Sequence, residues 1–140
     1  MDREETVLSA SGEKMKHRIL VVEDDPPFRE LLGGWLEKEG FDAVLADTLE
    51  AAFMRIAATP LPDAVLLDIH LGSQSGLTLV HWARKQKHLA HMLIVAVTGD
   101  GSFKDTKKVQ DAGCDGFVTK PVDFKALRQL LTSLRVHSAE

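Results

Sequence analysis

From residue 17 onward, apolar positions follow two rhythms that take turns along the chain. Short unbroken runs (Ile19-Leu20-Val21-Val22, Ala64-Val65-Leu66-Leu67 and Met92 to Val97) have the length and continuity of strands covered on both faces. Phe41 to Ala46 and Gly116 to Thr119 predict two further strands. Between these runs, apolar residues recur at helical spacing. Phe28, Leu31, Leu32, Trp35 and Leu36 follow Pro26-Pro27, which suit a helix start, and Gly40 ends that helix. Asp47 with Glu50 resembles a capping box before Leu49, Ala52, Phe53 and Ile56. Thr59-Pro60-Leu61-Pro62 is a connector and Gly72 to Gly76 a loop. Helices are predicted from Leu77 to Lys87, with Val80 and Ala83 inward, and from Ser102 to Ala112, weakly apolar and lysine-rich. Asp123 caps a last helix carrying Phe124, Leu127, Leu130, Leu131 and Leu134.

Five β/α units in series predict an α/β fold with a parallel sheet and helices on both faces. A Rossmann half and the flavodoxin-like sheet, strand order 2-1-3-4-5, compete at this size. Five units with nothing after them favour the second. Residues 1–16 are too polar to bury a core and read as a flexible tail, with Met15 an alternative start. The folded domain is expected over residues 17–136, with 137–140 a short C-terminal tail.

Composition narrows the class. The chain has 140 residues, a net charge of −4, 44% apolar residues and 27% charged ones, the balance of one soluble domain. One cysteine excludes a disulfide framework and a cysteine-based zinc site. No apolar run approaches the roughly 20 residues of a membrane span, and no secretory signal is visible. The acidic balance argues against direct nucleic-acid binding. A reducing compartment, the cytoplasm, is expected.

The candidate chemistry lies at strand ends. Parallel sheets place their sites beyond the carboxyl ends of strands, where the strand order reverses. The first strand ends in Glu23-Asp24-Asp25, the third in Asp68, the fourth in Thr98 and the fifth in Lys120. Carboxylates gathered this way repel unless a cation sits among them, and magnesium suits an oxygen-only set that leaves room for water and phosphate. A carboxylate beside such a metal can attack phosphorus. A hydroxyl and an ammonium would hold the phosphoryl oxygens. Asp68, alone on the central strand, is the better nucleophile.

The segments Ile19–Pro26 (ILVVEDDP), Val65–Gly72 (VLLDIHLG), Ala96–Thr98 (AVT) and Gly116–Pro121 (GFVTKP) resemble those of response-regulator receiver domains of two-component signalling. The likeness covers His17 to Arg135. It implies Asp68 as phosphoacceptor, Glu23 and Asp24 as the acid pair with Asp24 on Mg2+, and the backbone carbonyl of His70 as a further metal ligand. It implies Thr98 and Lys120 as phosphoryl ligands, a cis-prone Lys120-Pro121 step, and Phe117 as the switching aromatic coupled to Thr98. His70 and Asp100 fall where the family tunes dephosphorylation; an imidazole paired with an opposing carboxylate would close the path of water. The sequence departs from the family's commoner residues at Gly72 (often proline), Gly99 (often alanine) and Phe117 (often tyrosine), and none of these removes a catalytic group.

The implied function is a phosphorylation switch, not a metabolic enzyme. Asp68 would receive a phosphoryl group from a phosphohistidine of a histidine kinase or phosphotransfer protein and alter contacts with a downstream protein, the domain acting as a monomer or weak dimer. It could stand alone or belong to a hybrid kinase or longer regulator. Two other classes are weighed. A magnesium-dependent aspartyl phosphohydrolase of the haloacid-dehalogenase type needs a second Asp two residues after the nucleophile, where His70 stands. A phosphorylation-independent interaction module would have no use for all five active-site groups. Neither G-x-G-x-x-G nor a P-loop is present. His81, His88 and His91 have poor metal spacing, Cys114 reads as a small space-filler, and Lys104, Lys107 and Lys108 as a solvated face or part of a docking surface.

Overall fold

The computed structural model describes residues 7–8, 14–58, 60–99 and 103–138. Five parallel strands form the central sheet: β1 (Arg18–Val22), β2 (Asp42–Ala46), β3 (Ala64–Asp68), β4 (Leu93–Thr98) and β5 (Gly116–Thr119). Their spatial order is β2-β1-β3-β4-β5, the flavodoxin-like order expected from the sequence. The register sets Val22 beside Leu67, Asp68 beside Val97 and Thr98 beside Thr119, so the strand ends fall on one edge.

Side chains alternate across the sheet with period two. Ile19, Val21, Ala64, Leu66, Val95 and Val97 face α1 (Pro26–Lys38) and α5 (Phe124–Ser138), meeting Leu32, Leu36, Leu127 and Leu131. Leu20, Val22, Val65, Leu67 and Ile94 face the other way, toward Ala52 and Ile56 of α2 (Leu49–Ala57) and Leu79, Val80 and Ala83 of α3 (Leu77–Arg84). A third group joins Ile69 and Ala96 to Val109 of α4 (Phe103–Ala112), with half-buried Phe117 packed against it. Both faces are thus sealed, which is why the strands read as continuous apolar runs.

Capping explains where the helices begin. Asp25 accepts from the Phe28 amide, at 3.1 Å, and Pro26 and Pro27 occupy the first turn. Thr48, not Asp47, caps α2, its hydroxyl accepting from the Ala51 amide at 3.0 Å. Asp123 accepts from the amides of Lys125 and Ala126 at the start of α5. Helices α1 and α5 are tied by the Trp35–Phe124 ring pair, 5.0 Å between centroids, and by a bidentate Arg128–Glu39 bridge with both contacts at 3.0 Å.

Three local features differ from the sequence expectation. Helix α3 stops at Arg84, and a separate 3-10 turn spans Lys87–Leu89. The stretch read as a loop holds a two-residue antiparallel ladder, with His70 opposite Ser75 and Leu71 opposite Gln74. Within the stretch read as an N-terminal tail, Val7 pairs with Met15 and Leu8 with Lys14.

Two close contacts brace the strand ends. The Arg84 guanidinium gathers the carbonyls of Gly113 (2.9 Å), Ala90 (3.1 Å) and Met92 (2.8 Å) and the carboxylate of Asp115 (2.9 Å). The same Asp115 oxygen accepts from the Ile94 amide at 2.7 Å, so α3, the start of β4 and the turn after α4 are fastened together. At the other end of the sheet, a Cβ placed on Gly76 would lie 2.3 Å from the Asp68 carbonyl oxygen and 3.0 Å from Ile69 Cα.

Candidate functional site

Each candidate side chain sits where a strand gives out. Glu23 and Asp24 follow β1, Asp68 closes β3, Thr98 closes β4 and Lys120 follows β5. Strand backbones satisfied in the ladder stop here, so side chains of four segments share one cleft.

Carboxylate oxygens of Glu23, Asp24 and Asp68 lie within 4.8 Å of one another. Glu23 and Asp68 are buried, at 1% and 4% exposure, and Asp24 is exposed at the rim. Lys120 Nζ stands 3.2 Å from Glu23 Oε1 and 3.2 Å from Asp68 Oδ2, and 4.7 Å from the centre of the Phe28 ring. Asp68 Oδ1 accepts from the His70 amide at 2.9 Å. The Asp68 carboxylate is therefore held at both oxygens, by a backbone amide and by an ammonium. Glu23 Oε2 accepts from the Asp25 amide at 3.1 Å, and the Glu23 carbonyl from Arg29 at 2.9 Å.

Gly72 lies in the left-handed region, φ 61°, a conformation that favours glycine. Its amide donates to Asp24 Oδ2 at 3.1 Å. A proline at this position could neither adopt that torsion nor supply the donor, so Gly72 itself orients an acid of the cluster.

The electrostatics record crowding. Burial, reinforced by the charge of Asp68, pushes the Glu23 carboxyl up from 4.5 to about 7, against the opposing pull of the Asp25 amide and Lys120. Burial alone would lower the Lys120 ammonium; Asp68 and Glu23 outweigh it and raise it above the ordinary lysine value. Glu23 Oε1 is buried and has no aligned hydrogen bond, its 3.2 Å approach to Lys120 being an ion pair only. One ammonium against three carboxylates leaves negative charge uncompensated. An oxygen-only set with an orphaned buried acceptor and an exposed acid at the rim fits a small hard cation that keeps some of its waters.

Thr98 is buried, at 1% exposure, one residue beyond the register partner of Asp68. Its carbonyl accepts from the Lys120 amide at 2.8 Å, tying the ends of β4 and β5. Its hydroxyl donates to Asp105 Oδ2 at 3.5 Å, and His70 Nε2 stands 3.6 Å from that same oxygen. The carboxylate facing His70 among the described residues is thus on α4, in its first turn. Asp100, singled out in the sequence for that place, lies outside the described residues. Phe117 packs beside Ile69, Ala96 and Val109. The Lys120-Pro121 peptide is cis.

Asp105 was not among the candidates drawn from the sequence. It sits in a lysine-rich helix that reads as a solvated face, and its only signal is the carboxylate at the helix start. Phe28 was read as a core position, and its contact with Lys120 is invisible in spacing alone. Cys114 is half-buried, and burial pushes its thiol up to about 11, in keeping with a space-filling role.

This arrangement of strand order and strand-end residues is that of a receiver. Residues 19–132 match the response regulator receiver domain, and the chain belongs to that family. It is 34% identical over 113 residues to the phosphate regulon transcriptional regulatory protein PhoB of Klebsiella pneumoniae, covering 81% of this chain and 49% of that protein. The chain thus spans about half the length of this relative. It is 28% identical over 120 residues to the polar-differentiation response regulator DivK of Brucella ovis, covering 85% and 96% of the two chains. Among solved structures, a putative response regulator from Chloroflexus aurantiacus superposes with a TM-score of 0.80 at 25% identity, covering 87% of this chain and 99% of that one. Family membership places the domain among the signalling phosphoacceptors of two-component systems. No helix among the described residues is long and apolar enough to cross a membrane.

Proposed function

We propose that Asp68 accepts a phosphoryl group from a phosphohistidine of a histidine kinase or histidine phosphotransfer protein, and that the resulting acyl phosphate switches contacts with a downstream protein. The observation that carries this reading is the Asp68 carboxylate, buried, oriented by the His70 amide and by Lys120, and faced by two further acids. A carboxylate oxygen of Asp68 attacks phosphorus, the nitrogen–phosphorus bond of the donor breaks, and the imidazole departs with the bonding pair and a proton from solvent. Lys120 then balances charge on the phosphoryl oxygens, and the Thr98 hydroxyl donates to one of them. Asp24, Asp68, Glu23 and the backbone carbonyl of His70 are the groups that would hold Mg2+, which when bound supplies the positive charge that lets two anions meet. His70 flanks the approach of water and slows hydrolysis. The work of the domain is confined to its own phosphorylation and dephosphorylation, in the cytoplasm, as a monomer or weak dimer.

Acetyl phosphate with Mg2+ should add one phosphoryl group, about 80 Da by intact mass, and chelation should prevent it. Asp68→Asn and Asp24→Ala should each abolish the adduct, the first by removing the nucleophile and the second a metal ligand. Full labelling of Asp68→Asn at another residue would overturn the assignment.

A further inference from the structure

The Asp105 carboxylate stands where three segments meet. Its Oδ2 takes the Thr98 hydroxyl from the end of β4 and faces His70 Nε2 from the segment after Asp68, while its own backbone belongs to the first turn of α4. The Asp105 side chain is only 13% exposed, against 66% for that of His70. A carboxylate this sheltered, beside a buried hydroxyl, is more than a solvated charge at a helix start.

We propose that Asp105 is a positioning residue of the switch, whose carboxylate holds the Thr98 hydroxyl toward α4 and competes with the phosphoryl group on Asp68 for its proton. This rests on the reading of Asp68 as phosphoacceptor and Thr98 as phosphoryl ligand. A hydroxyl has one proton to donate. Thr98 is β-branched and buried, so its Oγ1 moves between discrete staggered positions and does not drift. Donation to Asp105 and donation to a phosphoryl group are therefore alternatives. When the hydroxyl turns to the phosphoryl group, the sheltered Asp105 carboxylate loses that donor, which ties the event to the first turn of α4. The competition thus opposes the phosphorylated arrangement and at the same time connects it to α4. Asp105 touches no reacting atom; it acts through Thr98.

Beryllofluoride with Mg2+, which mimics a phosphoryl group on a carboxylate, gives a binding constant by isothermal titration. Asp105→Ala should bind beryllofluoride about fivefold tighter than wild type, the size of one modest hydrogen bond. In a Thr98→Val background, Asp105→Ala should change affinity by less than about twofold, since the contested proton is gone. Thermal melting verifies that each variant is folded; should Asp105→Ala not fold, Asp105→Leu, close in size to aspartate and likewise without an acceptor, carries the same comparison. A purely structural or purely electrostatic role would give the same change in both backgrounds, and that result overturns the inference, as does unchanged or weaker binding by Asp105→Ala. Wild-type protein that binds no beryllofluoride and takes no phosphoryl group from acetyl phosphate overturns the phosphoacceptor reading, and the inference with it. Wild type that does both, with an unresponsive Asp105 series, overturns the inference alone.

Discussion

Lys120 Nζ lies 3.2 Å from Asp68 Oδ2, and because the same atom is 3.2 Å from Glu23 Oε1, one ammonium serves two buried carboxylates. The shortfall falls on Glu23, whose carboxyl is pushed up to about 7 by burial and by Asp68.

That shift has a sign. The folded protein binds the Glu23 proton more tightly than the unfolded chain, so the stabilising contribution is complete below 4.5 and is lost as pH rises through about 7. In chelator, Glu23→Gln should remove a loss on the order of 3 kcal/mol between those limits, seen as a flatter plot of denaturation free energy against pH. Adding Mg2+ near neutral pH should raise the melting temperature of wild type more than that of Glu23→Gln. Parallel pH profiles for the two proteins would contradict the assignment of strain to Glu23.

Arg84 concentrates its hydrogen bonds far from the acidic cluster. Arg84→Ala removes the guanidinium donor from three main-chain carbonyls and leaves Asp115 its Ile94 amide contact without the arginine. The expected cost is about 2–4 kcal/mol, read by urea denaturation. Labelling by acetyl phosphate should survive in the folded fraction.

Thr98→Ala should still take a phosphoryl group from acetyl phosphate, because nucleophile, acids and Lys120 remain. It should fail to relay the event. In wild type, resonances of Phe117 and Lys108 should shift on phosphorylation; in Thr98→Ala those shifts should largely vanish. Full shifts in the variant would show that Phe117 responds by another route.

His70 reaches toward Asp105 across the segment after Asp68. Removing the imidazole opens that side of the site to water, so His70→Gly should shorten the lifetime of the phosphorylated protein several-fold. Phosphate release from purified phosphoprotein, after removal of the donor, measures it. An unchanged or longer lifetime would remove His70 from the account.

The sheet was legible because its strands are sealed on both faces: each apolar run maps onto a strand to within a residue, and five β/α units in series narrow the strand order to two choices, of which 2-1-3-4-5 is the one observed. The strand-end residues were legible for a related reason, since a polar residue that abruptly ends a buried run is visible in one dimension. What depends on convergence was not. Asp105 and Thr98 meet through the path of α4, and no spacing rule announces it. Arg84 reads as an ordinary cation at a helix end, although it collects carbonyls from two distant turns. Asp47 and Thr48 are neighbouring good caps, and only backbone direction selects the threonine. A two-residue ladder such as His70–Leu71 with Gln74–Ser75 is too short to show a period.

Gly76 has an ordinary helical torsion, φ −62°, so nothing in its backbone requires glycine. The requirement comes from across the gap, where the main chain of Asp68 fills the place of a side chain. A library randomised at position 76 should therefore return glycine alone among variants that take up phosphate, even though alanine there is conformationally permitted. The peptide behind Asp68 rests against a backstop. If Asp68 takes a phosphoryl group as proposed, the main chain behind it has no room to retreat toward Gly76.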